Sequence, residues 1–275
     1  MAEAFILQEA EYSYVPGSPR LALGPLDLSV EEGEFLAVLG PNGSGKTTLA
    51  HLLNALLVPT RGRAVSFGLD TSDPANTWEI RRRVGMVLQS PDHQILGPTV
   101  EDDIAFGLEN LGMPRERMRG EVERVLHGMR LAALRDREPH LLSAGQKQRL
   151  ALAGVLAMSP RAIVSDECTA LLDPRSRDEV IGALRRFNRE QGMTVVHITH
   201  RLEEALSADR VLVLREGKPV LNASPHALLE CPPLLEELGL ELPAALRLVR
   251  LLQERGILPE GCGCEPDEVV RRLCP

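Results

Sequence analysis

The run Gly40-Pro41-Asn42-Gly43-Ser44-Gly45-Lys46-Thr47 constrains this chain of 275 residues more than any other part of it. It satisfies G-x-x-x-x-G-K-[ST], and its surroundings suit it. Before it stands an apolar run, Phe35, Leu36, Ala37, Val38 and Leu39; after it Leu49, Leu52, Leu53 and Leu56 recur at the spacing of one helix face. The pattern predicts a buried strand, a glycine-rich turn, and a helix over Thr47–Leu57 that Pro59 and Gly62 end. Glycines let backbone N–H groups converge on phosphate oxygens with no Cβ in the way, and the helix N-terminus adds partial positive charge. Residues 40–48, Thr48 included, then form a phosphate cradle in which Lys46 is a point charge for the β- and γ-phosphates and the Thr47 hydroxyl ligates Mg²⁺.

A second acidic element lies far along the chain. Ile163-Val164-Ser165-Asp166-Glu167 reads as an apolar strand ending in paired carboxylates, with Asp166 on the metal side and Glu167 facing the attacking water as general base. The two elements together read as a P-loop nucleotide hydrolase. Upstream of Asp166, Leu142-Ser143-Ala144-Gly145-Gln146 places a serine and a glycine at the start of a helix reaching Met158, with Ser143 at its N-cap. One chain then carries two phosphate-binding helix starts, and one triphosphate does not easily fill both in a compact monomer. A head-to-tail pair resolves this. Each nucleotide lies between the glycine-rich loop of one subunit and Ser143, Gly145 and Gln146 of the other, an arrangement that two-fold symmetry closes.

The rest of the pattern is that of an α/β chain. Ala4–Ser13 and Leu26–Val30 are strand-like, and Val84–Leu88, Ala162–Val164, Thr194–Thr199 and Val211–Leu214 are short apolar strands. Arg177–Gln191 is a helix between two of them, so a parallel sheet is expected. From about Ser90 to Met158 the texture is helical, as in Val122, Val125, Leu126 and Met129. A hydrophobic share of 44% and a charged share of 25% exclude a disordered chain. The net charge of −8 argues against broad attraction to nucleic acid, and no nucleic-acid partner is expected. The longest stretch without Asp, Glu, Lys or Arg, Thr47–Thr60, falls short of the roughly 20 apolar residues that span a bilayer. The first residues lack a basic n-region, so no secretory signal is expected, and the cysteines Cys168, Cys231, Cys262, Cys264 and Cys274 read as reduced thiols. Cys262, Cys264 and Cys274 as metal ligands are the lesser reading, because the spacing is not a standard zinc clip and no His lies nearby. Residues 226–275 read equally as a stabilising cap or a dimer contact.

With these motifs in this order, residues 4–225 resemble the ATP-binding subunit of an ABC transporter. Leu142–Gln146 stands where that family keeps its LSGGQ signature, with Ala144 in place of a glycine. The resemblance implies further roles. Gln89 matches the Q-loop glutamine that contacts Mg²⁺ and the attacking water; Asp173 matches the D-loop that crosses the dimer interface; His200 matches the switch histidine at the γ-phosphate. Tyr14, with Tyr12 as rival, matches the aromatic that stacks on adenine. Taken singly, each has an ordinary counterpart: a solvated glutamine, a surface histidine, a packing tyrosine. The implied fold is an α/β P-loop NTPase with a mixed sheet core, an antiparallel β subdomain and a helical signature subdomain at about 90–158, within a domain 1–225 followed by a helical extension 226–275. The implied cofactors are ATP and Mg²⁺. Glu167, His200 and Gln89 are the catalytic residues, and Thr47, Gln89 and Asp166 the metal ligands.

Pro91-Asp92-His93-Gln94, the run Thr99–Asn110, Thr77–Arg82, and Gly145–Arg149 with Ala153–Met158 are similar to the energy-coupling factor group, paired ATPases that drive vitamin and cobalt or nickel uptake. Ser165 for a usual Leu, Leu88 for a usual Phe, and Arg201 for a usual Asp depart from the pattern but leave the phosphate chemistry untouched. The resemblance implies a peripheral subunit on the cytoplasmic side of the cell membrane. Its partners would be a second copy or a paralogous ATPase, and integral membrane subunits including one that binds the substrate. The alternatives are a subunit of another ABC importer or a non-transport ABC ATPase. A small-molecule kinase would need neither Ser143–Gln146 nor the Asp-Glu pair, and intact Glu167 and His200 speak against a non-hydrolysing scaffold.

Overall fold

Alternating apolar and polar residues build the first layer. β1 (Glu3–Tyr12) buries Phe5, Leu7 and Ala10, and β2 (Leu23–Glu31) buries Leu26, Leu28 and Val30 while exposing the residues between them. The computed structural model describes residues 2–18 and 20–240, with 247–248, 251–252 and 255–257. β3 (Phe35–Leu39) is buried at every residue and belongs to a different sheet; α1 (Lys46–Leu53) follows it. β4 (Arg61–Ser66) pairs with the free edge of β1, and the short β5 (Leu69–Asp70) completes a four-stranded antiparallel sheet ordered β2-β1-β4-β5.

α1 is shorter than its leucine spacing predicts. It ends at Leu53, where Asn54 turns out of the helix and donates its side-chain amide to the Val84 carbonyl; Ala55 takes a left-handed φ of 53° and Leu56 is exposed. A tertiary hydrogen bond to a neighbouring strand overrides the local periodicity.

α2 (Thr77–Arg83) leads into β6 (Val84–Val87). A helical layer follows: α3 (Val100–Asn110), α4 (Arg115–Gly128) and α5 (Ala144–Ala157). Thr99 caps α3 by accepting from the Asp102 N–H, and three carboxylates occupy its first turn. Ile104, Leu108, Val125, Leu126, Leu152 and Leu156 bring the three helices into one core. The chain then alternates: β7 (Ala162–Asp166), α6 (Pro174–Gln191), β8 (Thr194–Ile198), α7 (Leu202–Ala205), β9 (Arg210–Arg215), β10 (Lys218–Ala223), α8 (Pro225–Leu229) and α9 (Pro232–Glu237).

The second sheet has six strands in the order β10-β9-β3-β8-β7-β6. β9, β3, β8, β7 and β6 run parallel, and β10 pairs antiparallel with β9, so the sheet is mixed by one edge strand. Its alternating side chains serve different cores. Leu36, Val38, Val164, Val196 and Ile198 pack with α1 and the antiparallel sheet. Phe35, Ile163 and Val195 pack with the helical layer and α6, while Ala37, Leu39, Val211 and Val213 pack with α7, Leu228 and Leu235.

Beyond Leu240 little of the expected extension is described, and Cys262, Cys264 and Cys274 lie outside the described residues. Burial pushes the Cys168 thiol up to about 12, which makes it inert. No described helix is long and apolar enough to cross a membrane.

Leu108, fully buried between α3 and its neighbours, tests the helical layer. Leu108→Ala is expected to cost about 2–5 kcal/mol in urea denaturation followed by circular dichroism.

Candidate active site

The C-terminal ends of the parallel strands carry the motifs. β3 runs into the glycine loop, β8 into Thr199 and His200, β7 ends at Asp166 with Glu167 next, and β6 runs toward Gln89. These four strands are consecutive neighbours, so the turns share one edge of the sheet, where ligands bind in parallel α/β proteins. Backbone bonds set the register. The Thr199 N–H donates to the Val38 carbonyl at 3.1 Å, and the Glu167 N–H donates to the Ile198 carbonyl at 3.0 Å.

The loop tolerates no side chain at its first glycine: a Cβ on Gly40 would stand 2.2 Å from the Leu214 carbonyl oxygen and 2.5 Å from Ser44 Oγ. Gly45, at φ 98°, would put one 2.6 Å from the Ala22 carbonyl oxygen. Pro41, Asn42 and Gly43 ride on the outside of the turn, and Ser44 is buried. Lys46 is buried as well, and its amine donates to the carbonyls of Gly40 at 2.8 Å and Pro41 at 3.0 Å. Burial lowers its pKa, opposed by the carboxylates of Glu167 and Asp166. Among the described residues Ser44 Oγ and Asp166 Oδ1, both at the cradle, are buried polar atoms with no hydrogen-bond partner, and a ligand at the cradle is one way to satisfy them. Burial also raises the Asp166 pKa, with the Thr47 hydroxyl opposing it. A carboxylate oxygen and a hydroxyl on facing elements are a donor pair suited to a hard divalent cation.

Glu167 takes a left-handed φ of 51°, costing on the order of 1–3 kcal/mol for a residue with a Cβ. Its Oε1 meets Nε2 of His200 and lies 3.6 Å from the Lys46 amine. His200 Nδ1 is 3.1 Å from the Gly40 carbonyl. Lys46, Glu167, His200 and Gly40 thus close a ring of polar contacts at the mouth of the loop.

Tyr14 is 60% exposed, and its hydroxyl lies 3.2 Å from Thr48 Oγ1; Tyr12 is half-buried against the antiparallel core, edge-on to Tyr14. The free aromatic face beside α1 belongs to Tyr14. Gln89 is exposed and makes no hydrogen bond among the described residues. Two glutamines from the runs similar to the energy-coupling factor group, given no role of their own by the sequence, hold the strand end beside it. Gln94 accepts from the Leu88 N–H at 2.7 Å and donates to the Met86 carbonyl at 2.9 Å, and Gln148 donates to the Leu88 carbonyl at 3.2 Å. The Leu88 carbonyl reaches Gln148 across 60 residues, a partner that only the fold supplies.

Ser143 is exposed and caps α5. Its Oγ accepts from the Gln146 N–H while the Gln146 side chain accepts from the Ser143 N–H at 2.8 Å, a complete capping box. Gly145 has a packing reason beyond any phosphate: a Cβ there would lie 2.3 Å from Ser176 Oγ on α6. The starts of α5 and α6 therefore touch. Asp173 caps α6, accepting from the Ser176 N–H at 3.1 Å; Ser176 holds its carboxyl below the usual range. Leu141 and Leu171, in the turns just before these caps, are exposed. Among the described residues no hydrogen bond joins 143–146 to 40–48.

A parallel sheet with this cradle and acidic pair at its carboxyl edge defines a P-loop nucleotide hydrolase, here with a helical layer and a second capped helix start. Residues 23–170 match the ABC transporter family, and the chain belongs to it. It is 46% identical over 264 residues, 96% of this chain and 95% of the relative, to the energy-coupling factor transporter ATP-binding protein EcfA1 of Clostridioides difficile (strain 630). Among solved structures it resembles cbiO1 from Clostridium perfringens, part of the ABC transporter complex cbiONQ, at 31% identity and a TM-score of 0.80, covering 94% of this chain and 100% of that one. A dimeric post-hydrolysis state of the ATP-binding cassette MJ0796, bound to ADP and Pi, aligns at 29% identity and a TM-score of 0.73, covering 80% of this chain and 98% of that one. The protein is an ATP-hydrolysing subunit of the energy-coupling factor transporter group.

Because the folded chain holds the Asp166 proton more tightly, stability contributed at this site falls as pH rises from the ordinary 3.8 through the raised folded value. Asp166→Asn is therefore expected to raise the Tm of the nucleotide-free chain at pH 7 in scanning fluorimetry with chelator present. A lowered Tm would mean that Lys46 and Thr47 compensate the charge.

Proposed function

We propose that this subunit powers import of a vitamin or a transition-metal ion, as one half of a head-to-tail ATPase pair seated on integral membrane subunits. The observation that carries the catalytic reading is the ring of Lys46, Glu167, His200 and Gly40 beside the unpartnered Asp166 Oδ1 and Ser44 Oγ. Phosphates of ATP fit the cradle of residues 40–48, with Lys46 as point charge and the exposed face of Tyr14 as the adenine platform. Thr47 and Asp166 would hold Mg²⁺, with Gln89 as a further ligand, and the ion would neutralise charge on the phosphates. Glu167 accepts the proton of the attacking water. His200, its Nδ1 anchored on Gly40, turns Nε2 toward the charge that develops on the γ-phosphoryl.

Ser143, Gly145 and Gln146 meet the nucleotide of the second subunit, and Asp173 lies on the same face. Three observations support this: Ser143 is exposed, 143–146 share no hydrogen bond with 40–48 within the chain, and a solved relative is a dimeric ATP-binding cassette. The exposed methyl of Ala144 leaves the cap intact. The partner is a second copy or a paralogous ATPase, and one membrane subunit binds the transported substrate. The subunit works peripherally on the cytoplasmic side, as residues 1–225 with an extension at 226–275, and without nucleic acid.

Glu167→Gln is expected to keep ATP binding, to slow hydrolysis by about 100-fold or more, and to accumulate an ATP-bound dimer on size exclusion. Wild-type turnover in that variant would remove Glu167 from its role. Lys46→Ala is expected to weaken binding of a fluorescent ATP analogue; unchanged affinity in titration would count against the cradle.

A further inference from the structure

Behind the reactive edge lies a buried polar cluster outside the cradle and the carboxylate pair. Glu204, on α7, is 5% exposed, yet its carboxylate takes hydrogen bonds from two separate segments. Thr169 Oγ1 lies 3.0 and 2.9 Å from its two oxygens, Thr199 Oγ1 lies 2.6 Å away, and His197 Nε2 lies 2.8 Å away. A carboxylate only accepts, so His197 Nε2 carries a hydrogen; a neutral ring then accepts at Nδ1 from Ser165 Oγ, 2.7 Å away. Arg177 of α6 brings its guanidinium to 3.6 Å from Glu204 and donates to the Leu172 carbonyl at 3.0 Å.

The positions of these donors matter. Ser165 immediately precedes Asp166, Thr169 follows Glu167 by one intervening residue, and Thr199 immediately precedes His200. One carboxylate therefore ties the segment that carries Asp166 and Glu167 to the segment that carries His200. Two physical arguments give the tie a purpose. A buried ionic cluster is a poor source of stability, since well-packed apolar side chains of similar volume often do as well or better. The left-handed backbone at Glu167, moreover, persists only where its surroundings over-determine it. Burial works to raise the Glu204 pKa, but His197, Thr199 and Thr169 outweigh it and the net shift is downward, so the carboxylate is held as an acceptor.

We infer that Glu204 is a positioning residue for ATP hydrolysis: through Thr169 and Thr199 it holds the segments that carry Glu167 and His200 in place without touching the nucleotide. The inference rests on the roles given above to Glu167 and His200. Among the described residues Glu204 makes no hydrogen bond to the cradle, so its loss slows turnover and leaves ATP affinity in place.

The test compares Glu204→Gln, Thr199→Val, Thr199→Ser and Glu167→Gln with wild type, in the full-length chain purified with its membrane subunits. Glu204→Gln keeps the side-chain volume and puts an amide donor among donors. Its kcat is expected to fall about 10-fold or more, with KM for MgATP within about 2-fold of wild type. Thr199→Val, which loses only the hydroxyl, is expected to slow turnover in the same way; Thr199→Ser, which keeps it, is expected to retain the wild-type rate. Wild-type kcat per folded molecule in Glu204→Gln overturns the inference, and so does a change confined to KM. If Glu204→Gln does not fold, the Thr199 pair decides, and equal rates for Val and Ser overturn it. Glu167→Gln separates the two levels. Full activity there removes the general-base reading underneath, whereas an inactive Glu167→Gln beside a fully active Glu204→Gln removes this inference alone.

Discussion

Everything reactive in this chain hangs from the backbone ladder that joins β3, β8 and β7. Val38 lies opposite Ile198, and Ile198 lies opposite Asp166. The ladder continues one bond past each strand, from Thr199 to Val38 and from Glu167 to Ile198. Lysine, histidine and glutamate come from segments far apart in sequence, yet they meet because three parallel strands end at one level. A slip of a single residue in one strand would turn its side chains to the opposite face and separate all three.

The same edge concentrates features that work against stability. Lys46 and Asp166 are ionisable groups desolvated by burial, Glu167 sits in a strained backbone region, and Ser44 Oγ has no partner among the described residues. These are tolerated because the strands beneath are uniformly apolar and three cores grip both faces of the sheet.

The surface formed by the starts of α5 and α6 has a different construction. Ser143 and Asp173 are both caps, satisfied by their own helices, and Gly145 exists to let Ser176 approach. Helix capping and phosphate recognition use the same backbone groups and side chains, so the cap that stabilises α5 also presents its N-terminus outward. Among the described residues this surface shares no hydrogen bond with the cradle of the same chain.

Much of this was readable from local pattern. The glycine spacing, the apolar run before it and the Asp-Glu pair after a second strand announce a P-loop nucleotide hydrolase, since phosphate binding requires those residues at those separations. Ser143 as a helix cap was legible for the same local reason. Other features were not. Leucine periodicity carries α1 too far, because Asn54 leaves the helix for a carbonyl on β6. The sequence gives no role to Gln148, His197 or Glu204, since Gln148 acts on Leu88, His197 on Ser165 and Glu204 on Thr169, partners that only folding brings near. Tyr14, with Tyr12 as rival, is a resemblance on paper, and the fold leaves Tyr14 exposed and Tyr12 half-buried. The sequence by itself determined which chemistry the chain performs, because the reacting groups lie in short contiguous motifs. The tertiary structure decided how those groups are held, because orientation depends on hydrogen bonds between segments that the linear order keeps apart.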